Sequence, residues 1–290
     1  MSNKVYFITN RKVDQSQSME KWIYLDDRLH IGESEIEKYN NNYYKIKDGT
    51  LDFYMYSGSQ FLNQVFKKFI SDSVIIYFHG FDVSFESALC NVYKLQKRLN
   101  ENDYFPDIVV FSFPSNGKLN AEDYLLDQDD AKKSGQAVSF LLNYLEENNI
   151  CGGKPVINLI LHSMGNFVLQ HGFNQYKKDN SFNRIFQNIC MVAADVNYDV
   201  FENDFSDLNK ISNNVSVFYN EKDWVLGYSN HAILKNLPRL GKVGPKNKDI
   251  LPERVELINV TDKIKEDQHG YLTNGDNPEF LKELVKVLIA

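Results

Sequence analysis

The sequence predicts an α/β fold in which a mostly parallel, doubly wound sheet carries N-terminal antiparallel strands at one edge. Two observations carry this reading. Short, nearly unbroken β-branched runs recur along the chain, as in parallel strands buried on both faces. Between them lie stretches of helical pattern long enough for crossover connections, so right-handed βαβ units follow. Residues 1–70 lack this alternation and read as a leading, differently built segment.

The runs are residues 74–78 (VIIYF), 108–113 (IVVFSF), 156–161 (VINLIL), 189–194 (ICMVAA), 215–219 (VSVFY) and 255–260 (VELINV). Helices are expected over 85–100, 121–149, 164–177, 224–236 and 278–288. In the second of these, Phe140, Leu141, Leu142 and Leu145 fall near the three-to-four spacing that buries one helical face. Upstream, 5–8 and 51–56 read as strands flanking a polar Asn- and Tyr-rich segment, 39–44. They suit antiparallel strands added to the sheet edge. No repeat or low-complexity tract divides the chain. The expectation is one domain over 1–290, with 1–70 as N-terminal strands and extension and 71–290 as catalytic core.

Composition narrows the function. A net charge of −7 argues against a nucleic-acid surface, which needs clustered Lys and Arg. Lys242, Lys246 and Lys248 form the nearest thing to a basic cluster and read as a solvated loop. Cys90, Cys151 and Cys190 are too scattered for a disulfide framework, and no Cys/His spacing suits zinc. Residues 1–11 have no apolar signal core, and no run approaches the roughly 18 apolar residues of a membrane span. A cytoplasmic, reduced, soluble protein with no membrane span is expected, and its oligomeric state stays open.

The chemistry centres on residues 159–165, LILHSMG. An apolar strand runs into Ser163 and a helix follows at once, the context of a nucleophile elbow. Gly165 supplies the small residue after the serine, while Leu161 replaces the usual first glycine. The Met164 amide and the helix N-terminus would face developing negative charge. Ser163 as a simple helix cap is the competing reading.

A serine needs a base oriented by a third group. Six histidines are available. His30 lies in the N-terminal segment, His79 and His162 precede or adjoin the serine, and His171 sits inside the following helix. His231 lies within a helical pattern. His269 follows the last strand in a polar loop, DQHGY, where a base could reach over the sheet edge. For the acid, Asp223 follows 215–219, giving the order Ser163, Asp223, His269, each beyond the carboxyl end of a strand. Asp223 could also cap the helix at Trp224, and Asp195 is the rival acid. A second oxyanion donor is expected from the loop after the first core strand, where Gly80 admits close approach and the Phe81 amide would face the oxyanion. His79 reads as a structural residue fixing that loop.

These motifs resemble the bacterial α/β hydrolases of unknown function known as DUF900, within the esterase/lipase superfamily. The resemblance is carried by FHGF at 78–81, FPS at 113–115, LHSMGN at 161–166, AADV at 193–196 with DVF at 199–201, RLG at 239–241, Gly244 with Pro245, and Asn10 with Arg11. It extends from about Val5 to the final helix, with Phe113 where Trp is commoner. It implies the α/β-hydrolase fold, with Ser163 as nucleophile, Asp223 as acid and His269 as base. It also favours a carboxylic ester over a peptide or lipid substrate.

The expected function is therefore cleavage of a small-molecule ester or related acyl bond through an acyl-enzyme, with Met164 and Phe81 as oxyanion donors and no cofactor or metal. Acyl transfer or peptidase action with the same residues is the alternative, as is a non-catalytic protein that binds a ligand or partner. Gly152-Gly153-Lys154 lacks the Walker spacing and reads as a turn. Asp127, Asp129 and Asp130 read as offsetting a helix dipole rather than holding a metal. Residues 237–251 are a candidate cover for the site.

Overall fold

In a computed structural model of the chain, residues 4–19, 22, 25–38, 44–53, 69, 71–115, 120–147, 155–178, 182–229 and 236–290 are described. Strands β1 (Lys4–Arg11), β2 (Leu25–Lys38), β3 (Tyr44–Ile46) and β4 (Asp52–Phe53) lead into β5 (Ser73–Phe78), β6 (Asp107–Ser112), β7 (Val156–His162), β8 (Phe186–Val192), β9 (Ser212–Tyr219) and β10 (Val255–Asn259). The helices are α1 (Phe85–Asn100), α2 (Ala121–Lys133), α3 (Gly135–Glu147), α4 (Gly165–Tyr176), α5 (Trp224–Ser229), the single turn α6 (Leu240–Val243) and α7 (Pro278–Ile289). Among the described residues the strands form one sheet, in the order β10-β9-β8-β7-β5-β6-β1-β2-β3, with β4 also on β2. From β10 to β1 every neighbouring pair is parallel.

Alternation along each central strand divides the core. In β7, Leu159 and Leu161 join Phe111, Leu141, Phe173 and Met191 on one face. Ile160, between them, joins Leu89, Val110, Cys190 and Leu284 on the other. Both faces are buried, which is why these strands read as unbroken apolar runs. Cys90 and Cys190 are free and buried.

Residues 5–8 do not behave as a leading antiparallel strand. β1 runs parallel to β6, with Tyr6 opposite Val109 and Ile8 opposite Phe111, and antiparallel only to β2. Phe7, Ile8 and Thr9 are fully buried, so β1 lies inside the sheet and the antiparallel edge begins one strand further out. β2 lies in a stretch to which the sequence reading assigned no element. Its sequence alternates charged and apolar residues, and Ser34 and Ile36 are buried between half-buried Glu33, Glu35 and Glu37. That is a strand with one covered face. Of the strand expected over 51–56, Asp52 and Phe53 form β4, and 54–56 lie outside the described residues. So do 39–43, Cys151 with the 152–154 turn, and His231.

The helix expected over 121–149 is two. Asn120 caps α2 by accepting from the Asp123 amide at 2.9 Å, and the helix ends at Ser134, whose hydroxyl donates to the Asp130 carbonyl at 2.8 Å. A side chain at Gly135 would meet the His171 backbone at 2.9 Å, so α3 starts where glycine lets it close onto α4.

At the amino ends of the strands, Asn158, Asn188 and Asn214 are direct partners across β7, β8 and β9. The Asn214 amide donates to Asn188 Oδ1 at 3.1 Å, and the Asn188 amide to Asn158 Oδ1 at 3.0 Å. Asn158 in turn donates to the Tyr104 hydroxyl at 3.2 Å and the Leu288 carbonyl at 3.4 Å, at the end of α7.

Candidate active site

At the opposite, carboxyl edge, β7 delivers Ser163 into a turn with φ of 52°. Non-glycine residues rarely occupy this left-handed region, and the surroundings hold it there. The Ser163 amide donates to the Val192 carbonyl at 3.0 Å, and its carbonyl accepts from the amides of Asn166 and Asp195, each at 3.1 Å. The Asn166 side chain donates to the Ser163 and Leu161 carbonyls at 3.0 and 3.2 Å. A Cβ at Gly165 would stand 2.7 Å from the carbonyl oxygens of Phe78 and His79, so only glycine lets α4 start this close to β5. Leu161, where a second small residue is usual, turns its side chain into the core instead.

His269 and Asp223 meet Ser163 from the ends of β10 and β9. Asp223 is fully buried; its Oδ2 accepts from His269 Nδ1 at 2.7 Å and its Oδ1 from the Leu226 amide at 2.9 Å. Asp223 thus caps α5 and holds the imidazole at once. With the proton on Nδ1, His269 Nε2 is an acceptor, and Ser163 Oγ lies 3.0 Å from it. Burial opposes charge on His269, but the Asp223 carboxylate, by charge and hydrogen bond, and the charges of Asp195 and Asp267 outweigh it. The His269 pKa is raised above 6.5.

Two side chains that the sequence reading did not assign a role hold the loop bearing His269. His162 Nε2–H donates to the His269 carbonyl at 3.0 Å. Asn220, fully buried after β9, donates to the adjacent Gln268 carbonyl at 2.8 Å and to its side-chain oxygen at 2.9 Å. Burial, reinforced by the charge of His269, lowers the His162 pKa to about 4, so at neutral pH it is an uncharged donor. Gly270 completes the turn, since a Cβ there would overlap the Asp267 carboxylate at 2.3 Å. Neither contact has a local sequence signal, because each joins residues far apart in the chain.

The loop after β5 presses against the serine. A Cβ on Gly80 would sit 2.8 Å from Ser163 Cβ and 3.3 Å from its Oγ. His79 stacks on Phe113 at 4.3 Å, donates from Nδ1 to the Gly80 carbonyl at 2.8 Å, and has Nε2 3.3 Å from the Ser112 hydroxyl. Burial and the charge of Arg11 push its pKa down to about 3. Arg11, buried, donates to Ser112 Oγ, to the carbonyls of Trp22 and Ser115, and to the Val83 carbonyl at 2.8 Å. Its pKa falls to about 9 through burial, with Asp127 and Asp130 opposing the drop. Among the described residues the amides of Met164 and Phe81 have no hydrogen-bond partner.

The acidic group on α2 splits into separate roles. Asp127 is buried and accepts from the Ser115 hydroxyl, whereas Asp129 pairs with Lys133 at 2.5 Å on the surface. Among the described residues no group of three or more His, Cys, Asp or Glu is placed to hold a metal ion.

Asp195, the rival acid, has another partner. Its Oδ1 accepts from Arg239 Nε at 2.6 Å and Ser229 Oγ at 2.7 Å, and its Oδ2 from the Tyr124 hydroxyl at 2.9 Å. Burial disfavours the carboxylate, yet the Arg239 charge and these bonds hold its pKa below the usual range. Both members of the ion pair are almost fully buried. Arg239→Ala would leave the carboxylate unpaired and is expected to cost about 3–5 kcal/mol in urea unfolding. A loss under about 1 kcal/mol would mean that Asp195 has ready access to water or another partner.

Residues 237–251 do not cover the site. Leu240 and Gly241 donate to the Val196 and Ala194 carbonyls, both at 2.9 Å, and Asn197 bridges Arg239. A Cβ on Gly241 would overlap the Ala194 amide at 2.0 Å. The segment is sewn to the loop after β8 and takes no part in lining the cavity beside Ser163. That cavity, about 560 Å³, lies between Ser163, His269, Phe81, Tyr124, Asp195 and α5.

A sequence model of the family described as "Alpha/beta hydrolase of unknown function (DUF900)" matches residues 56–287. No curated protein matches the chain. Among solved structures, it is similar to a lipase-esterase related protein from Clostridium acetobutylicum, at 11% identity and a TM-score of 0.41, covering 75% of this chain and 94% of that one. A structure from work on the metagenome-derived lipolytic enzymes LipS and LipT gives 9% identity and a TM-score of 0.41, over 76% and 94%. Trichoderma reesei cutinase, in complex with a phosphonate inhibitor, gives 11% and 0.31, over 80% and 84%.

Proposed function

This chain belongs to the alpha/beta hydrolases of unknown function (DUF900), and from that premise we propose that it is a serine hydrolase cleaving small carboxylic esters. The observation that carries the reading is the unbroken relay from Ser163 Oγ to His269 Nε2 at 3.0 Å and from His269 Nδ1 to Asp223 Oδ2 at 2.7 Å. No other His in the described residues stands between a serine hydroxyl and a buried carboxylate in this way.

In the proposed reaction, Ser163 Oγ attacks the ester carbonyl carbon as its proton passes to His269 Nε2. The carbonyl π pair moves onto oxygen, where the Met164 and Phe81 amides donate to it. Collapse expels the alcohol, which takes the proton from His269, and leaves the acyl group on Ser163. Water then attacks the acyl carbon, giving its proton to the same nitrogen; collapse breaks the bond from that carbon to Ser163 Oγ, which takes the proton back from His269, and the carboxylic acid departs. Asp223 keeps the proton of His269 on Nδ1 and offsets the imidazolium charge. The raised pKa of His269 expresses the same stabilisation.

A cytoplasmic setting remains part of the proposal. Among the described residues no helix is long and apolar enough to cross a membrane. The test of function is turnover of p-nitrophenyl acetate, butyrate and a longer acyl ester by the purified chain, together with labelling by a fluorophosphonate. Turnover with label on Ser163, located by mass spectrometry, is expected. No turnover and no label would remove the hydrolase reading and leave a binding protein.

A further inference from the structure

We propose that the cavity beside Ser163 is built for an ester carrying an ammonium group. This names the substrate class of the serine-hydrolase reading and rests on it. Tyr124, Asp195 and Ser229 face the cavity. The Tyr124 and Ser229 hydroxyls both donate to Asp195, as does Arg239 from behind. With those protons committed, and the Tyr124 oxygen already accepting from Asn236 and Arg239 at 3.3 and 3.4 Å, this wall offers the cavity no hydroxyl hydrogen. A carbonyl or carboxylate of a substrate finds no hydroxyl donor there.

Charge points the same way. Among the described residues that line the cavity there is no Lys or Arg, and three carboxylates are present. Asp195 is neutralised by Arg239. Asp267 spends Oδ1 on the amides of Gly270 and His269, at 2.6 and 3.4 Å. Asp82 differs. It is half-buried in the cavity lining, held with φ of 60°, and its carboxylate has no hydrogen-bond or ion-pair partner among the described residues. Burial and the charge of Asp123 raise its pKa, the sign of a carboxylate lacking a counter-ion.

The third observation is aromatic. Trp224 and Tyr228 are one turn apart on α5, and both line the cavity while remaining 64% and 54% exposed. Rings at this spacing share a helical face. Aromatic rings lining the same cavity as an uncompensated carboxylate attract an alkylammonium by cation–π and Coulomb terms together. A purely apolar ester would use the rings but leave Asp82 uncompensated. The net charge of −7 also favours approach of a cation.

The test uses the full chain as Ser163→Ala, so that binding is read without acylation. Three thioesters share one acetyl group: acetylthiocholine, its neutral isostere S-(3,3-dimethylbutyl) thioacetate, and anionic S-(3-sulfopropyl) thioacetate. Titration calorimetry is expected to show the cation bound at least about tenfold tighter than the neutral isostere, with the anion weakest. Adding Asp82→Asn or Trp224→Ala should each shrink the cation-to-neutral ratio several-fold, and raised salt should shrink it further. Equal binding of cation and isostere, or a preference for the neutral compound, overturns the proposal. If the preference holds while wild type turns over neither these thioesters nor the p-nitrophenyl esters and takes no fluorophosphonate label on Ser163, the hydrolase reading fails and the cation site stands.

Discussion

Ser163→Ala and His269→Ala are each expected to lower kcat/KM for p-nitrophenyl butyrate by on the order of a thousandfold or more, about 4 kcal/mol of transition-state stabilisation. The double variant should fall little further. The reason is geometric. Ser163 Oγ is an ordinary hydroxyl unless Nε2 of His269, 3.0 Å away, accepts its proton as the bond to carbon forms. Without the base the serine is a poor nucleophile; without the serine the base activates nothing but water. Groups that act as one unit show such non-additive losses. Fold should survive Ser163→Ala, because the turn is fixed by backbone hydrogen bonds and Gly165 rather than by Oγ. If His269→Ala retained activity within tenfold of wild type, the proposed base would be wrong.

Asp223→Asn is expected to act on both rate and pH profile. An amide at this position can accept from Nδ1 only if its oxygen is presented, and it removes the charge that stabilises the imidazolium; losses on the order of ten-thousandfold accompany such changes in serine proteases. The sign of the pH effect follows from the His269 pKa. In the proposed mechanism the neutral imidazole is the active form, so kcat/KM is expected to fall as pH drops through that pKa, with the wild-type acid limb above 6.5. Burial alone pushes the same pKa down, and Asp223 is the chief opposing influence. Removing its charge should therefore shift the limb to lower pH while the plateau drops. A limb that stayed in place with a mild loss would transfer the role to Asp195, despite its commitment to Arg239.

The parts of this molecule that could be read from sequence are those whose physics is local. Residues 159–165 place an apolar strand, a serine and a glycine in one short stretch, so the elbow is visible as a word. Asp223 and His269 stand just past strand ends, where open α/β sheets gather their chemistry. The orientation of β1 could not be read, because an apolar run looks alike whether its neighbour runs with it or against it. β2 was hidden by its charged residues, whose alternation marks a half-covered strand but resembles a polar loop. The helix break at Ser134 depends on how close α4 comes to Gly135, a matter of packing. His162, Asn220 and the Tyr124–Asp195–Arg239 network were illegible for the same reason. Their partners lie across the fold, and only the tertiary structure makes them neighbours.

The three asparagines at the far end of the sheet have a consequence for how the strands find one another. Runs such as VINLIL and VSVFY are so uniformly apolar that a slip by two residues would bury nearly the same surface and exchange the same kinds of side chain. Nothing in such runs tells one alignment from the next. Asn158, Asn188 and Asn214 do, because the Asn214-to-Asn188 and Asn188-to-Asn158 bonds form only when all three stand opposite one another. A two-residue slip would break these bonds, at a cost of about 1–3 kcal/mol for each buried group left unmet. The ladder thus works as a ruler for β7, β8 and β9. By setting the alignment at one end of these strands, it also sets how far Ser163 and Asp223 project from the other.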